Sequence, residues 1–287
     1  MKISRKTALK QMAGASAFGL VGMPTFSFST PKNLKGKINH SVCRWPYANL
    51  PLELLCERAN DLGIQSVELL NPEDWLIAQK YGLTCAMSNC VPLSLTDGFN
   101  DPALHAQFLK DYQALIPKAA DAGLKNIICF SGNRKGLSDE QGLENCAKGL
   151  APIVKMAEQY GITICMELLN SKVDHVDYQA DHTEWGVSLC EKLGMDGFKL
   201  LYDIYHMQIM EGDIIATINK YHPYIAHYHT GGVPGRNEID ETQELNYQAI
   251  MEAIVETGFK GHVAQEFIPS KADVFDSLAK AIQICDV

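Results

Sequence analysis

Four side chains that can bind metal ions stand at the ends of four successive apolar runs in the second half of the chain. Each run has the length of a β-strand, and a strand that is buried on both faces reads as such a continuous apolar run. In α/β enzymes, the carboxyl ends of parallel strands carry the residues that do the chemistry. The side chains belong to Glu167, Asp203, His229 and Glu266.

Three carboxylates and one imidazole in the same place predict a metal centre. Buried carboxylates repel one another and need a cation or a shared proton between them. This donor set suits a divalent ion of intermediate hardness, namely manganese, magnesium, cobalt or zinc. A single acid at a strand end is more often a helix cap or a solvated group, so the prediction depends on the four residues together. Together they indicate an enzyme.

Several histidines near these ends are candidates for contacting a substrate. His206 lies three residues after Asp203, where it could face the substrate or orient a metal ligand. His175 and His182 flank the long polar loop 170–181 and could also reach the substrate. Of these two, His182 is predicted to be a substrate-binding residue.

Arg236 follows the glycine-rich run 231–235, just beyond His229. A guanidinium group on such a loop could clamp a substrate carboxylate or phosphate with two parallel hydrogen bonds. The alternative is a salt bridge to one of the acids that follow it in the sequence, Glu238, Asp240 or Glu241.

The four strand ends require a fold that brings them together. From residue 35 onward, apolar runs of strand length alternate with amphipathic stretches of helix length in eight rounds, and glycines such as Gly63, Gly123 and Gly161 close the helices. The third of these runs is Leu83–Cys90. Eight such units predict an α/β fold, a single (β/α)8 TIM barrel over residues 35–287. A doubly wound open sheet is the alternative, although no G-x-G-x-x-G follows the first run.

Two further residues have a place on this barrel. His227 lies two residues before His229 on the same strand face, so it is expected to line the barrel interior below the metal. Glu68 ends the second apolar run. It could join the site, but because it has no evident partner in the sequence, it is left outside the predicted metal set.

Residues 1–34 are predicted to be an export signal and linker. Basic residues at positions 2, 5, 6 and 10 precede the apolar, small-residue run 12–28, and no acid occurs before Glu53. The segment Ser4–Lys10 is similar to a twin-arginine signal with lysine in the second basic position. The pattern predicts a periplasmic or exported protein. The alternative is an uncleaved amphipathic tail, which would leave the protein in the cytoplasm. No later apolar run in the sequence is long enough to cross a bilayer.

Composition excludes some classes of function. The formal net charge of −9, without a basic stripe, argues against a nucleic-acid surface and so against an endonuclease. The nine cysteines include no C-x-x-C pair, which excludes a zinc ribbon or a thioredoxin-like centre. Most of them lie inside apolar runs, so they are predicted to be buried small hydrophobic residues rather than disulfide partners.

The chain resembles the hydroxypyruvate isomerase-like members of the xylose isomerase-like barrel superfamily, which also holds ketose 3-epimerases, inosose dehydratases and endonuclease IV-type enzymes. The resemblance runs from Lys37 to Val287 and is most specific in 202–213 and 229–247, where the chain matches a PGR-x-E pattern followed by E-L-N-Y. It is carried by Glu167, Asp203-x-x-His206, His229, Arg236 and Glu266. Gln243 stands where the family pattern has glycine.

This resemblance implies aldose–ketose isomerisation or epimerisation of a small hydroxy-keto compound or sugar through an enediolate. It implies a divalent metal ion on the four strand-end residues, with Glu167 and Glu266 removing and returning the proton. His206 would hold a substrate oxygen, and Arg236 a distal hydroxyl or carboxylate. Family members are often dimers or tetramers, which implies a homo-oligomer. Two alternatives stay open: an exported dehydratase or lyase of a keto-sugar on the same metal site, and a sugar-binding barrel without catalysis.

Overall fold

Parallel strands in register form the sheet that carries the candidate site. The structure is a computed structural model that describes residues 34–90 and 94–287, and the predicted export signal falls outside this part of the chain. Within it, seven strands form one sheet in the order β2-β1-β7-β6-β5-β4-β3. The strands are β1 (Asn39–Cys43), β2 (Ser66–Glu68), β3 (Asn126–Cys129), β4 (Thr163–Glu167), β5 (Phe198–Asp203), β6 (Ile225–Thr230) and β7 (His262–Gln265).

The segment 84–89 fills the eighth position between β2 and β3, so the fold is the predicted α/β barrel. Its Ser88 forms parallel bridges to Leu70 on one side and to Ile127 on the other. The prediction of a regular strand over Leu83–Cys90 was wrong in detail, because side chains form the hydrogen bonds to the N–H and carbonyl groups of Ala86. The Ala86 N–H donates to Ser66 Oγ at 2.8 Å, and its carbonyl accepts from Asn126 Nδ2 at 2.9 Å. The ladder is therefore reduced to single bridges.

Helices cover the outside of the strands. They are α1 (Leu52–Asp61), α2 (Trp75–Lys80), α3 (His105–Asp121), α4 (Asp139–Gln159), α5 (Thr183–Leu193), α6 (Ile204–Met210), α7 (Ile214–Tyr221), α8 (Tyr247–Glu256) and α9 (Val274–Cys285). Short 3₁₀ turns occur at Trp45–Tyr47 and His222–Tyr224. None of the helices in the described ranges combines the length and apolar character that a membrane crossing needs.

Glycines end the first four helices, as the sequence predicts. Gly63, Gly82, Gly123 and Gly161 have φ values of 76°, 74°, 79° and 65°. These values lie in the left-handed region, where glycine carries no penalty from a Cβ atom. Each glycine therefore lets the chain turn from a helix back to the next strand.

Cysteines and histidines fill different parts of the core. All nine cysteines are buried thiols, which confirms the prediction that they act as small hydrophobic residues. Inside the barrel, Glu68 on β2 reaches across to His227 on β6 at 2.7 Å, although β2 and β6 are not neighbours in the sheet. His227 thus lines the barrel interior as expected, and this interior is polar below the carboxyl ends of the strands.

Candidate metal centre

The carboxyl ends of β4, β5, β6 and β7 bring the four predicted ligand residues to one level. Glu167 and Asp203 are the last residues of β4 and β5. Asp203 lies opposite His229 in the register of β5 and β6, and His229 lies opposite Ala264 in that of β6 and β7. Glu266 directly follows β7.

The donor atoms of the four residues all lie within 4.8 Å of one another, and all four residues are buried. Nδ1 of His229 is 3.1 Å from Oε1 of Glu167 and 3.0 Å from Oε2 of Glu266. The structure therefore brings together the whole set that the sequence singles out.

Asp203 holds this position because it has two roles. Its Oδ1 accepts hydrogen bonds from the backbone N–H groups of Tyr205 and His206, at 2.8 and 3.3 Å, and so caps the N-terminus of α6. The other oxygen, Oδ2, faces the cluster. Asp203 is thus a helix cap, the role expected of an isolated strand-end acid, and also a member of the four-residue group.

The residues present fit a divalent cation. Around an ion with bonds of about 2.0–2.5 Å, donors on opposite sides are separated by at most about 5 Å, which is compatible with donor atoms that all lie within 4.8 Å of one another. Three carboxylates and one imidazole nitrogen suit manganese, cobalt, zinc or magnesium. One guanidinium, that of Arg236, faces the three carboxylates, and a dication would compensate the remaining negative charge.

A second group, Cys43, Glu68 and His229, also meets the distance criterion for metal donors. It shares His229 with the first group but uses the opposite ring nitrogen, Nε2, which lies 3.7 Å from Cys43 Sγ. Burial raises the pKa of the Cys43 thiol well above its ordinary value, and this group offers three donor residues against four in the first. The four-residue group is the better candidate.

Glu68, which was left outside the predicted metal set, has two histidine partners in the structure. Its Oε1 accepts from His227 Nε2 at 2.7 Å and contacts His229 Nε2 at 3.0 Å. Burial alone would raise the pKa of Glu68, but the two histidines lower it well below its usual range. Glu68 is therefore an anion that holds the ring of His229 from behind, with Nδ1 aimed at the cluster.

The two glutamates of the cluster differ in their electrostatics. Burial, and then the charge of Glu266, raise the pKa of Glu167. Burial also acts on Glu266, but His229 and Arg236 outweigh it and hold the pKa of Glu266 well below its usual range. Oε1 of Glu266 accepts from Trp45 Nε1 at 2.7 Å and its Oε2 from Arg236 Nη2 at 2.5 Å. Glu266 is thus the firmly anionic member of the pair.

Arg236 pairs with the cluster rather than with the acids that follow it in sequence. Its Nη2 lies 2.5 Å from Glu266 Oε2 and 3.3 Å from Asp203 Oδ2. The guanidinium lies between the rings of Trp45 and Tyr205, at 5.1 and 5.3 Å from their centroids. The salt-bridge alternative is wrong, because this packing turns the side chain back over the barrel mouth.

The predicted substrate-binding histidines lie in different surroundings. His206 is fully buried, and its Nδ1 accepts from the backbone N–H of Asn170 at 3.2 Å. Its Nε2 is 3.5 Å from Asp203 Oδ2, so the His206 ring lies behind a predicted metal ligand. The His182 side chain is 51% exposed and pairs with Asp181 at 2.8 Å.

A cavity of about 300 Å³ opens beside the cluster. Glu167, Glu266, Arg236 and His175 line one end of it, and His182 is not among its lining residues. The ring of His175 packs against that of His206 with centroids 5.2 Å apart. Burial, and then the charge of Arg236, lower the pKa of His175, which keeps this ring neutral at the cavity.

Sequence reasoning missed Trp45 and underrated Glu68. Trp45 lies two residues after the end of β1, on a short turn without hydrophobic periodicity. No local sequence pattern therefore indicated that it belongs to the site. Glu68 carried a signal, because it ends a strand as the four ligand residues do. Gln243, at the family's glycine position, is absent from the residues with positive φ, and its side chain bonds both backbone groups of Leu245. Its backbone does not require glycine.

Comparison with known proteins identifies isomerases of similar sequence. The chain is 27% identical over 218 residues to the 2-oxo-tetronate isomerase of Cupriavidus necator, covering 72% of this chain and 83% of the relative. It is 30% identical over 172 residues to the hydroxypyruvate isomerase of Escherichia coli, covering 58% of this chain and 65% of that protein. The named relatives are thus isomerases.

Solved structures share the fold. The crystal structure of the IOLI protein with a binding zinc atom superposes with a TM-score of 0.66 at 15% identity, covering 86% of this chain and 95% of that one. The family model described as xylose isomerase-like TIM barrel matches residues 56–284. The chain therefore belongs to the xylose isomerase-like TIM barrel family.

Proposed function

We propose that this protein is a divalent-metal-dependent isomerase or epimerase of a small hydroxy-keto compound or sugar, acting through an enediolate. The observation that carries the proposal is the convergence of Glu167, Asp203, His229 and Glu266 beside a cavity. The isomerase names of the two relatives support the same class of reaction. The proposal includes export on the N-terminal segment 1–34, which the sequence pattern supports.

The four residues would hold the metal ion. When bound there, a divalent ion supplies a positive charge that stabilises negative charge developing on the substrate oxygens. Glu68 would keep the Nδ1 lone pair of His229 directed at the ion, and His206 would stand behind Asp203. Arg236 and His175 would meet the substrate at the open side.

Glu167 is the residue we assign to proton transfer. Within the described residues its Oε2 accepts no hydrogen bond, and the carboxylate lines the cavity. Burial raises its pKa, which brings a carboxylate nearer to the range where it exchanges protons at neutral pH. Glu266 is the second catalytic carboxylate, and because it stays anionic it would accept a hydrogen bond from a substrate hydroxyl.

The step balances as a proton shift. Glu167 removes the proton from the carbon beside the carbonyl, the C–H electron pair forms the enediolate double bond, and the former carbonyl oxygen takes the negative charge. Return of the proton to the adjacent carbon, with the hydroxyl proton passing to the other oxygen, gives the isomer. Return to the opposite face of the first carbon gives the epimer.

The test is exchange of substrate hydrogen with solvent. The purified full chain, loaded with Mn²⁺ or Co²⁺, is incubated in D₂O with hydroxypyruvate, 2-oxo-tetronate and a panel of ketoses, and deuterium at carbon is measured by mass spectrometry. We expect exchange with at least one compound and a loss of about 10²–10⁴-fold in Glu167→Gln. The exposed Glu73→Gln serves as the matched control.

Other outcomes would contradict the proposal. Absence of exchange across the whole panel would exclude an enediolate enzyme of this substrate class. Appearance of an enone chromophore would identify a dehydratase or lyase. Calorimetric binding without turnover, unchanged in Glu167→Gln, would identify a binding protein.

A further inference from the structure

One wall of the cavity beside the candidate metal centre is lined by apolar side chains. The lining of the cavity divides into the polar end already described and an adjoining apolar wall. The wall consists of the side chains of Trp45, Leu69, Leu95, Ile128, Phe130 and Leu169. These residues lie near or beyond the carboxyl ends of β1, β2, the segment 84–89, β3 and β4, so five of the eight strand positions contribute to the wall.

Among the described residues, the side-chain hydrogen-bond donors along this wall are already committed, and Trp45 Nε1 donates to Glu266. Asn89 also lines the cavity, but its Nδ2 donates to the Leu69 carbonyl at 2.9 Å and to Asn71 Oδ1 at 3.0 Å. Arg236 is held by Glu266 and Asp203. A ligand with a hydroxyl group on every carbon would therefore bury hydroxyls against carbon, and an unpaired buried hydroxyl is unfavourable.

Leu69 is held in the wall in an unusual backbone conformation. Its φ is +55°, which is uncommon for a residue other than glycine. Two hydrogen bonds fix it there: its N–H donates to the Met87 carbonyl at 2.8 Å, and its carbonyl accepts from Asn89. Strained backbone of this kind collects at ligand-binding sites, where the surrounding structure maintains it. It places an apolar side chain in the cavity wall.

The size of the cavity exceeds what a three-carbon keto acid occupies. A volume of about 300 Å³ corresponds to roughly ten water molecules. A keto acid of three carbons would fill the polar end and leave the apolar wall facing water. An apolar surface of that extent gains free energy when an apolar group covers it.

We propose that the substrate is an α-hydroxy ketone that carries an apolar substituent, bound with its two oxygens at the metal centre and its substituent against this wall. This inference rests on the proposed function and names its substrate class. It separates the protein from enzymes whose substrate is a bare keto acid or an unsubstituted sugar.

Two ketones with the same reacting group test it. Hydroxyacetone carries a methyl group on its carbonyl carbon where 2-hydroxyacetophenone carries a phenyl group. The dissociation constants of both are measured by calorimetry on the full chain loaded with Mn²⁺. Deuterium exchange is measured for both ketones in parallel. We expect 2-hydroxyacetophenone to bind at least about tenfold more tightly, because a phenyl ring buries far more carbon than a methyl group.

Leu69→Asn connects this preference to the wall. Asparagine has the same branching and the same number of side-chain heavy atoms as leucine and tolerates the left-handed conformation, so the backbone is retained while the wall becomes polar. The ratio of the two dissociation constants is expected to fall by at least about fivefold. Leu76→Asn, at a side chain that is 66% exposed on α2, is the matched control and keeps the preference.

The outcomes separate the two proposals. Equal affinity for the two ketones, with deuterium exchange of either, overturns the substrate class and leaves the isomerase proposal standing. A preference for the phenyl ketone that Leu69→Asn does not reduce also overturns the substrate class, because it locates the preference elsewhere. A preference that depends on Leu69, with no exchange of these ketones or of the earlier panel, supports the apolar subsite and contradicts the isomerase proposal. Failure of both ketones to bind overturns the substrate class and leaves the isomerase proposal to the exchange panel.

Discussion

At the scale of single residues, His229 contacts carboxylates through both ring nitrogens. Nε2 faces Glu68, and Nδ1 faces Glu167 and Glu266. An acceptor behind the ring places the proton on Nε2 and leaves the Nδ1 lone pair for a metal ion. Glu68 therefore acts as a positioning residue through His229.

Glu68→Gln tests this role. A neutral amide accepts more weakly and can turn its NH₂ group toward Nε2, which would favour the wrong tautomer. We expect the affinity for Mn²⁺, measured by calorimetry, to fall about 10–100-fold. In the metal-free protein the pKa of His229, measured by NMR titration, should also fall, because a neutral amide replaces the anion beside Nε2. Glu73→Gln, an exposed change of the same chemistry, should leave both measurements unchanged, and parent-like values in Glu68→Gln would refute the assignment.

At the scale of elements, the loops after β6 and β7 are joined by one buried carboxylate. Glu238 accepts from the backbone N–H groups of Ser270 and Lys271, at 2.8 and 3.0 Å, and from the hydroxyls of Ser270 and Ser277. The first loop carries Arg236, whose φ of +57° is unfavourable for arginine. Anchoring at Glu238 holds that strained residue over the metal centre.

Glu238→Gln should loosen both loops together. The amide NH₂ would face groups that are themselves donors, so at least one buried hydrogen bond is lost, and the free energy of unfolding is expected to fall by about 2 kcal/mol. Urea unfolding measures this loss. Because Arg236 would be less well positioned, kcat/KM for an exchanging substrate should fall as well. The neighbouring Glu241→Gln is exposed and should change neither quantity; equal unfolding curves for the two variants would contradict the anchoring role.

At the scale of the whole molecule, buried histidines make the barrel sensitive to acid. Burial lowers the pKa of His40 from 6.5 to about 4, although Asp286 opposes the shift from 3.7 Å. Burial also lowers the pKa of His262 to about 4, and the charges of His227 and His40 act in the same direction. Both rings are therefore neutral in the folded protein at pH 7.

The sign of the pH dependence follows from linkage. Between pH 6.5 and about 4 the unfolded chain binds a proton at His40 that the folded protein does not, so the free energy of unfolding falls as the pH falls. The pKa difference at His40 corresponds to about 3 kcal/mol. In His40→Gln this part of the decline should disappear in urea unfolding at a series of pH values. The exposed His222→Gln should keep the parent slope, and an unchanged slope in His40→Gln would show that other groups cause the decline.

The sequence by itself determined the barrel and the four residues of its candidate metal centre. Alternating apolar runs and amphipathic stretches are local patterns, and in a parallel barrel all strands end at the same rim. The type of residue at each strand end was therefore enough to bring Glu167, Asp203, His229 and Glu266 together. The same reasoning failed for the segment 84–89, where side chains of Ser66 and Asn126 replace ladder bonds.

Tertiary structure decided which groups support and surround that centre. Glu68 meets His229 across the barrel, 161 residues apart in sequence, and Arg236 meets Glu266 because its loop turns back between Trp45 and Tyr205. The apolar wall joins residues from five strand positions and the loops after them. Such contacts depend on where loops fold over the rim and on what faces what across the interior, and neither is recorded in the periodicity of any one segment.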